Sequence, residues 1–450
     1  MNAPDVVDVV ALGESMVTFL PTRAGRLADV PSFDRSIGGA ESNVACGLAA
    51  AGHTVRWVSR VGSDGFGDHL VETVAACGVD VSAVGRDSSR PTGVYFRTAG
   101  DRATDAHEVA YYRAGSAASA MSVENVDLAS VRAARVLHLS GITAALSEEC
   151  LQLLRSLMAP GEDRPLVSFD VNHRAGLWRD ADGPRVLLEL ARGADIVFVG
   201  EDEAEEAWGI SGGPSAIRAA LPEPGVLVVK QGGVGATAFV SAAGRWGLVA
   251  PRGGAAYRHS PAPLESDTGR QIQVAAPFPM PTRPAGSRAA GSAPDPKTGG
   301  TAQARVSDTH SRRQGAGPSP GPTQPAGGSG PAERGTSQAG ASDTHPRPAP
   351  EPGTFVPAPH VDVVATTGAG DAFAAGFLSA TLRGLPLKTR LRHGHLYAAA
   401  ALTTPGDLAT PPTRDTTDRL AAVADDVWGT LRLGPGWTQA GTATEEVRTP

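Results

Sequence analysis

The sequence predicts an α/β fold in which a mostly parallel central sheet is covered by helices on both faces. Three observations predict it. Continuous apolar runs such as 5–12 (DVVDVVAL) and 196–199 read as strands buried on both sides. Such runs alternate with helical segments along most of the chain, which is the rhythm of a parallel sheet. Glycine-rich turns stand where strands pass into helices: Gly38-Gly39, Gly62 to Gly67, and Gly368-Ala369-Gly370.

The elements follow in order. Residues 5–12 form the first strand, with Gly13 and Glu14 at its carboxyl end. Residues 19–37 are irregular, with short extended pieces. Gly38-Gly39-Ala40-Glu41-Ser42-Asn43 opens a helix whose apolar face includes Val44, Leu48 and Ala51. Strand 55–61 leads through a glycine turn into helix 69–77. Residues 92–97 and 108–113 read as a hairpin joined by the polar loop 99–106. Strands 136–139, 166–169, 196–199 and 226–229 then alternate with helices 148–158, 184–192 and 202–208. Helices 369–383, 391–403 and about 417–431 complete the domain. The extended pieces at about 15–37 and 90–115 are too short for the main sheet, so a small β lid is expected from them.

The rhythm breaks at Pro251. Between Pro251 and His360 lie 20 of the 36 prolines, three Phe, Tyr or Trp residues and no sustained periodicity. Such a stretch buries too little apolar surface to offset its ordering entropy, so 252–355 is read as a Pro/Gly/Ser-rich disordered insertion. Residues 1–251 and 356–435 make one domain, in which strand-like 244–251 meets 356–360. Residues 436–450 are a flexible tail.

Composition narrows the function. The net charge of the chain is −7; the insertion holds 11 Arg and Lys against 7 Asp and Glu, leaving −11 on the rest. A folded portion that acidic argues against a nucleic-acid partner. Three unpaired cysteines, no basic leader and no long apolar run point to a soluble cytoplasmic protein with no metal-cysteine site and no membrane span. The only lysines are Lys230, Lys297 and Lys388, and none follows a glycine, so a P-loop is excluded.

The chemistry concentrates in residues 361–377, VDVVATTGAGDAFAAGF. Residues 361–364 read as a short buried strand, and Phe373, Phe377 and Leu382 mark one face of a helix. A strand that turns through Gly368 and Gly370 into a helix leaves unpaired amides at its start, a seat for a phosphate. Asp371 in the first turn adds a proton acceptor beside it.

Residues 364–377 resemble the C-terminal signature of the PfkB-type, ribokinase-like carbohydrate kinases. Gly38-Gly39-Ala40-Glu41-Ser42-Asn43-Val44-Ala45, with the glycines at 62–67, resembles the N-terminal one. The likeness spans 5–251 and 356 to about 430, and it implies a three-layer α/β/α fold with a β lid. Within the family, YYRAGSAA at 111–118, Ser140-Gly141-Ile142, FDVNHR at 169–174 with Leu177-Trp178, and Gly406 to Pro411 are most similar to 2-keto-3-deoxygluconate kinases.

The resemblance implies an ATP- and Mg²⁺-dependent kinase acting on the terminal hydroxyl of that sugar acid. Asp371 is then the base and Gly368, Ala369 and Gly370 the anion hole. Gly38, Gly39 and Asn43 hold sugar hydroxyls, Tyr95 and Tyr111 pack the sugar, and Arg113 and Arg174 meet its carboxylate. Asn172, Glu203, Lys230, Gly232, Gly235 and Thr367 face ATP. Lid strands in this family often pair between subunits, so a homodimer is one expectation. Two positions depart from the pattern. Ala365 replaces the Asp that helps relatives hold a monovalent cation, so potassium activation is not expected. Gly200 replaces the Asn of an Asn-x-x-Glu motif whose Glu203 remains, leaving Mg²⁺ to be held through water and ATP. The alternatives are a neutral-sugar kinase acting on fructose, ribose or a nucleoside, and a non-catalytic sugar-binding protein on the same fold.

Replacing residues 254–353 with a short Gly/Ser linker should leave the thermal midpoint and activity nearly unchanged, because a longer surface loop costs little beyond closure entropy. Loss of solubility or activity on that deletion would show that the segment packs or binds.

Overall fold

The computed structural model describes residues 4–98, 108–161, 164–178, 182–241 and 352–439. Its principal strands are β1 (Val7–Leu12), β2 (Met16–Pro21), β3 (Phe33–Gly38), β4 (Val55–Gly62), β5 (Val84–Asp87), β6 (Val94–Arg97), β7 (Val109–Tyr112), β8 (Ala134–Ser140), β9 (Leu166–Asp170), β10 (Ile196–Gly200), β11 (Val226–Lys230), β12 (Gly235–Val240) and β13 (Thr354–Pro357). A nine-stranded sheet runs β13-β12-β11-β10-β9-β8-β1-β4-β5. It is parallel from β5 to β11, with β12 and β13 added antiparallel at one edge.

Burial on both faces explains the continuous apolar runs. In β1, Val9 and Ala11 join one cluster and Val10 and Leu12 the other. The first cluster takes Val44, Leu48, Phe373, Phe377, Leu391 and Leu396 from helices Ala40–Ala50, Ala369–Leu382 and Leu387–Leu402. The second takes most of its helical residues from Glu148–Met158 and Gly183–Gly193 on the far face, with single residues such as Val131, Ala204 and Ile217 from shorter helices. These are the three layers of the predicted α/β fold.

Topology then places the site. β1 lies between β4 and β8, so the sheet grows away from it in both directions. Open sheets bind ligands at the carboxyl ends of strands beside such a switch point. The carboxyl ends here are in register, Ser140 opposite Asp170 and Gly200 opposite Lys230. The four-stranded sheet β3-β2-β6-β7, from 15–37 and 90–115, supplies a separate wall. On its outer side Phe19 stacks on Phe96 at 4.7 Å, with Phe33 edge-on at 5.2 Å.

Several boundaries move. Residues 361–364 are not a buried strand of the main sheet: only His360–Val361 pairs, in a two-stranded ribbon with Arg432–Leu433. The sheet edge is already taken by β13, and the amides of Val364 and Ala365 bond instead to the Leu402 carbonyl at 2.7 and 3.2 Å. Thr354 and Phe355, assigned to the insertion, belong to β13. The partner of β13 is β12, a strand that the apolar pattern did not predict, while 244–251 lies outside the described residues, as does loop 99–106. The last expected helix is two, Arg414–Ala421 and Asp425–Thr430, the first capped by the Thr413 side chain. The tail opens on a short turn, Trp437–Gln439. No helix among the described residues is long and apolar enough to cross a membrane.

Helices Ala369–Leu382 and Leu387–Leu402 pack backbone against backbone. A Cβ on Gly376 would come within 2.5 Å of the His393 carbonyl oxygen. Gly376→Ala should therefore destabilise the fold by about 1–3 kcal/mol, read as a lower denaturant midpoint. An unchanged midpoint would mean that this helix pair gives way freely.

Candidate active site

A cleft of about 960 Å³ opens between the carboxyl ends of the parallel strands and the small sheet. At its centre is the start of helix Ala369–Leu382. Gly368 precedes the helix at φ +77°, a left-handed conformation that a β-carbon would strain, and a Cβ there would also overlap the Asp407 carbonyl oxygen. The first amide in the helical ladder is that of Ala372, bonded to the Gly368 carbonyl at 2.9 Å. The amides of Ala369, Gly370 and Asp371 thus precede the ladder at the positive end of the helix dipole.

Asp371 stands in that first turn. Asn43 Nδ2, from the opening of helix Ala40–Ala50, donates to its Oδ2 at 2.9 Å. Burial pushes the Asp371 carboxyl up to about 7. Asn43 opposes the rise, Asp170 adds to it, Lys230 opposes it and Glu41 adds to it. A carboxylate poised near neutral pH beside a helix start is suited to take a proton from a hydroxyl.

A second wall comes from β9, β10 and β11. Lys230 Nζ lies 3.2 and 3.1 Å from the two Asp170 oxygens. Burial works against its charge, but Asp170 and Glu203 outweigh that, so its pKa is raised. Asn172 holds a non-glycine φ of +40° and donates its amide to Asp170 Oδ1 at 3.2 Å. Glu203 Oε2 accepts the Gly200 amide at 2.7 Å, and its Oε1 lies 3.5 Å from Arg174 Nη1. The small sheet supplies the third wall. The rings of Tyr95 and Tyr111 lie 5.4 Å apart, and Arg113 sits over Tyr111 at 5.8 Å.

Most of the expected residues thus gather in one cleft. Gly38, Gly39, Asn43, Tyr95, Tyr111, Arg113, Asn172, Arg174, Glu203, Lys230, Gly232, Thr367, Gly368, Gly370 and Asp371 all line it, and Ala369 contributes its amide at the helix start. Gly235 does not line it. It opens β12 against β13, where a Cβ would press on the Phe355 ring at 2.7 Å, so sheet packing explains this glycine. Sequence reasoning gave no role to Glu14, Arg97, Asp170 and Asp407, which also line the cleft. Glu14 is buried against Arg113 and accepts from Ser116 at 2.5 Å, so Arg113 already has a carboxylate partner. The available signal was an acidic residue at the end of an apolar strand, as at Glu14 and Asp170. Asp407 offered only its place in a Gly-Asp-Leu turn.

With this geometry in hand, comparison with known proteins defines the class. Residues 7–256 and 351–414 match the pfkB family of carbohydrate kinases, and the chain belongs to that family. It is 33% identical over 241 residues to the 2-dehydro-3-deoxygluconokinase of Thermoproteus tenax, covering 53% of this chain and 73% of that one. It is 37% identical over 202 residues to the Bacillus subtilis enzyme of the same name, covering 44% and 62%. To fructokinase-1 of Zea mays it is 34% identical over 205 residues, covering 45% and 62%. Among solved structures, a PfkB protein from Polaromonas sp. JS666 superposes with a TM-score of 0.60 at 25% identity, covering 93% and 100%. A sugar kinase from Pyrococcus horikoshii, solved with ATP, gives 0.59 at 19%, covering 91% and 96%. The chain is a sugar kinase.

Turnover should depend on the Asp371 carboxylate. Pushed up to about 7 by burial, this carboxylate is protonated in acid, so kcat/KM should fall about tenfold per pH unit below about pH 6 and level off above pH 8. Asp371→Asn should lower turnover about 10²–10⁴-fold and abolish that acid limb. An unchanged acid limb in the variant would assign the titration to another group.

Proposed function

We propose that this kinase transfers the γ-phosphoryl group of ATP to the terminal hydroxyl of 2-keto-3-deoxygluconate. Asp371 accepts the hydroxyl proton, and the amides at 369–371 meet the charge that develops on the transferring group. Asn43 fixes the carboxylate that does this. Tyr95 and Tyr111 present ring faces to the sugar, and the small sheet excludes water from the reacting atoms. Lys230, Asn172, Thr367 and Gly232 form the phosphate side of the cleft.

Mg²⁺, when bound, would neutralise phosphate charge. Asp202 and Glu203 bring hard oxygen donors to the cleft wall, and among the described residues no three acidic, His or Cys side chains are grouped as a metal cage. That donor set suits an ion held largely through water and phosphate. At Ala365 there is no carboxylate to hold a monovalent cation, and its amide is engaged by Leu402.

The observation that carries the sugar-acid assignment is Arg174. Its side chain is 55% exposed in the cleft and, among the described residues, holds only the His173 carbonyl at 2.7 Å and Glu203 at 3.5 Å, so its fork is open to a ligand carboxylate. Arg113 supports it from the small sheet while sharing its charge with Glu14. That sharing is also what favours the second reading, a fructokinase-like enzyme for a neutral sugar.

A charge-assisted pair is worth about 1.5–3 kcal/mol, roughly ten- to a hundredfold in binding. An ADP-release assay should therefore show at least about a tenfold preference in kcat/KM for 2-keto-3-deoxygluconate over fructose and ribose. Arg174→Ala should raise KM for the acid and leave neutral-sugar kinetics nearly unchanged. Better turnover of fructose or a nucleoside would overturn the carboxylate role of Arg113 and Arg174 while leaving Asp371 as the base.

A further inference from the structure

Strand β6 sends two side chains to one carboxylate far along the chain. Tyr95 donates its hydroxyl to Asp407 Oδ2, and Arg97 Nη2 lies 2.6 Å from Asp407 Oδ1. The same Arg97 nitrogen donates to the Pro405 carbonyl at 2.8 Å. The side chains of Arg97 and Asp407 are each only 2% exposed. Burying an ion pair so fully is a poor source of stability, and such pairs are better explained by the geometry they fix.

Asp407 touches the catalytic glycines as well. Its main-chain oxygen lies against Gly368, where a Cβ would overlap it, and Gly368 is the residue from which the anion-hole amides turn. On the other side, a Cβ on Gly38 would overlap the Tyr95 hydroxyl and come within 2.7 Å of Asp407 Oδ2. Asp407 is therefore wedged between β6, the glycine at the sugar pocket and the glycine at the anion hole.

We propose that Arg97 is a positioning residue that couples the small sheet to the anion hole by pinning residues 405–407 against Gly368. The proposal rests on the reading of the 369–371 amides as the anion hole. With the small sheet seated, one guanidinium nitrogen, Nη2, holds the 405–407 segment at two points, a carbonyl and a carboxylate. That segment backs Gly368 and so fixes the direction of the amides that follow it. When the sheet lifts, Tyr95 and Arg97 leave together and Gly368 loses its support. Phosphoryl transfer is then competent only over an enclosed sugar, which limits transfer to water.

The test compares Arg97→Gln and Arg97→Lys with wild type in the full chain. It measures kcat, both KM values, thermal midpoint, and ADP formed per sugar phosphate. Arg97→Gln should lower kcat about ten- to a hundredfold, the scale of a small misplacement at the reacting centre. KM for ATP should stay within about threefold, and ADP should exceed sugar phosphate. Arg97→Lys keeps a charged donor on a shorter side chain, so it should hold the segment less well and fall between the two. If Arg97→Gln does not fold, Arg97→Lys decides the matter on the same readouts. Wild-type kcat with one ADP per sugar phosphate in a folded variant would overturn the coupling, as would a defect confined to thermal midpoint or to sugar KM. An indifferent Arg97 beside an inactive Asp371→Asn removes the coupling alone, whereas a fully active Asp371→Asn removes the reading beneath it.

Discussion

The hydrogen bond from Asn43 to Asp371 joins residues 328 apart in sequence, and the site depends on it. It forms because helices Ala40–Ala50 and Ala369–Leu382 lie side by side on the same face of the sheet. Small residues set their separation: a Cβ on Gly47 would stand 2.9 Å from that of Ala375. A bulkier pair would move Asn43 away from the carboxylate, leaving a buried acid with one opposing partner fewer. The glycine and alanine content of both helices, which reads as low amphipathic contrast, is therefore what brings the Asp371 carboxylate to its partner. It follows that the two signatures are parts of one contact.

Charge in the cleft obeys a second constraint. Every lysine and arginine among its described residues already faces a carboxylate: Lys230 with Asp170, Arg174 with Glu203, Arg97 with Asp407, Arg113 with Glu14. An unpaired charge in such a site would carry a large desolvation cost, so the cleft is satisfied before a ligand arrives. An incoming phosphate or carboxylate must then outcompete a protein carboxylate for its cation. Exposure ranks how easily that happens. Arg174 is open to solvent, Lys230 is 19% exposed, Arg113 10%, and the Arg97 pair is closed. Burial thus grades chemically similar pairs, from Arg174, which a ligand can reach, to Arg97, which it cannot.

This division also marks what the sequence could tell. Local signals were legible: apolar runs buried on two faces, glycines turning into helices, and Asp371 in the first turn of its helix. They depend on residues close in sequence, where spacing carries the physics. Pairings across the fold were not legible. Nothing near Asp407 says that Arg97 will reach it, and Glu14 gives no hint of Arg113. The residues at 361–364 were misread for the same reason. Their β-branched pattern suits a strand, yet whether a strand joins a sheet depends on which edge is free, and β13 had taken it. Gly235 was assigned to the nucleotide when its lack of a side chain serves the contact between β12 and β13.

The sheet geometry accounts for how so long a stretch interrupts the domain between β12 and β13. β12 runs antiparallel to β11, with Ala236 opposite Lys230 and Val240 opposite Val226. The chain therefore leaves β12 at the amino end of the parallel strands, away from Lys230 and the cleft. It rejoins at the same end, because Thr354 pairs with Ala238 and Pro357 with Gly235. Both junctions sit on an edge hairpin whose ladder is complete without what lies between them. Neither described junction, at Ser241 or at Pro352, lines the cleft that holds Asp371.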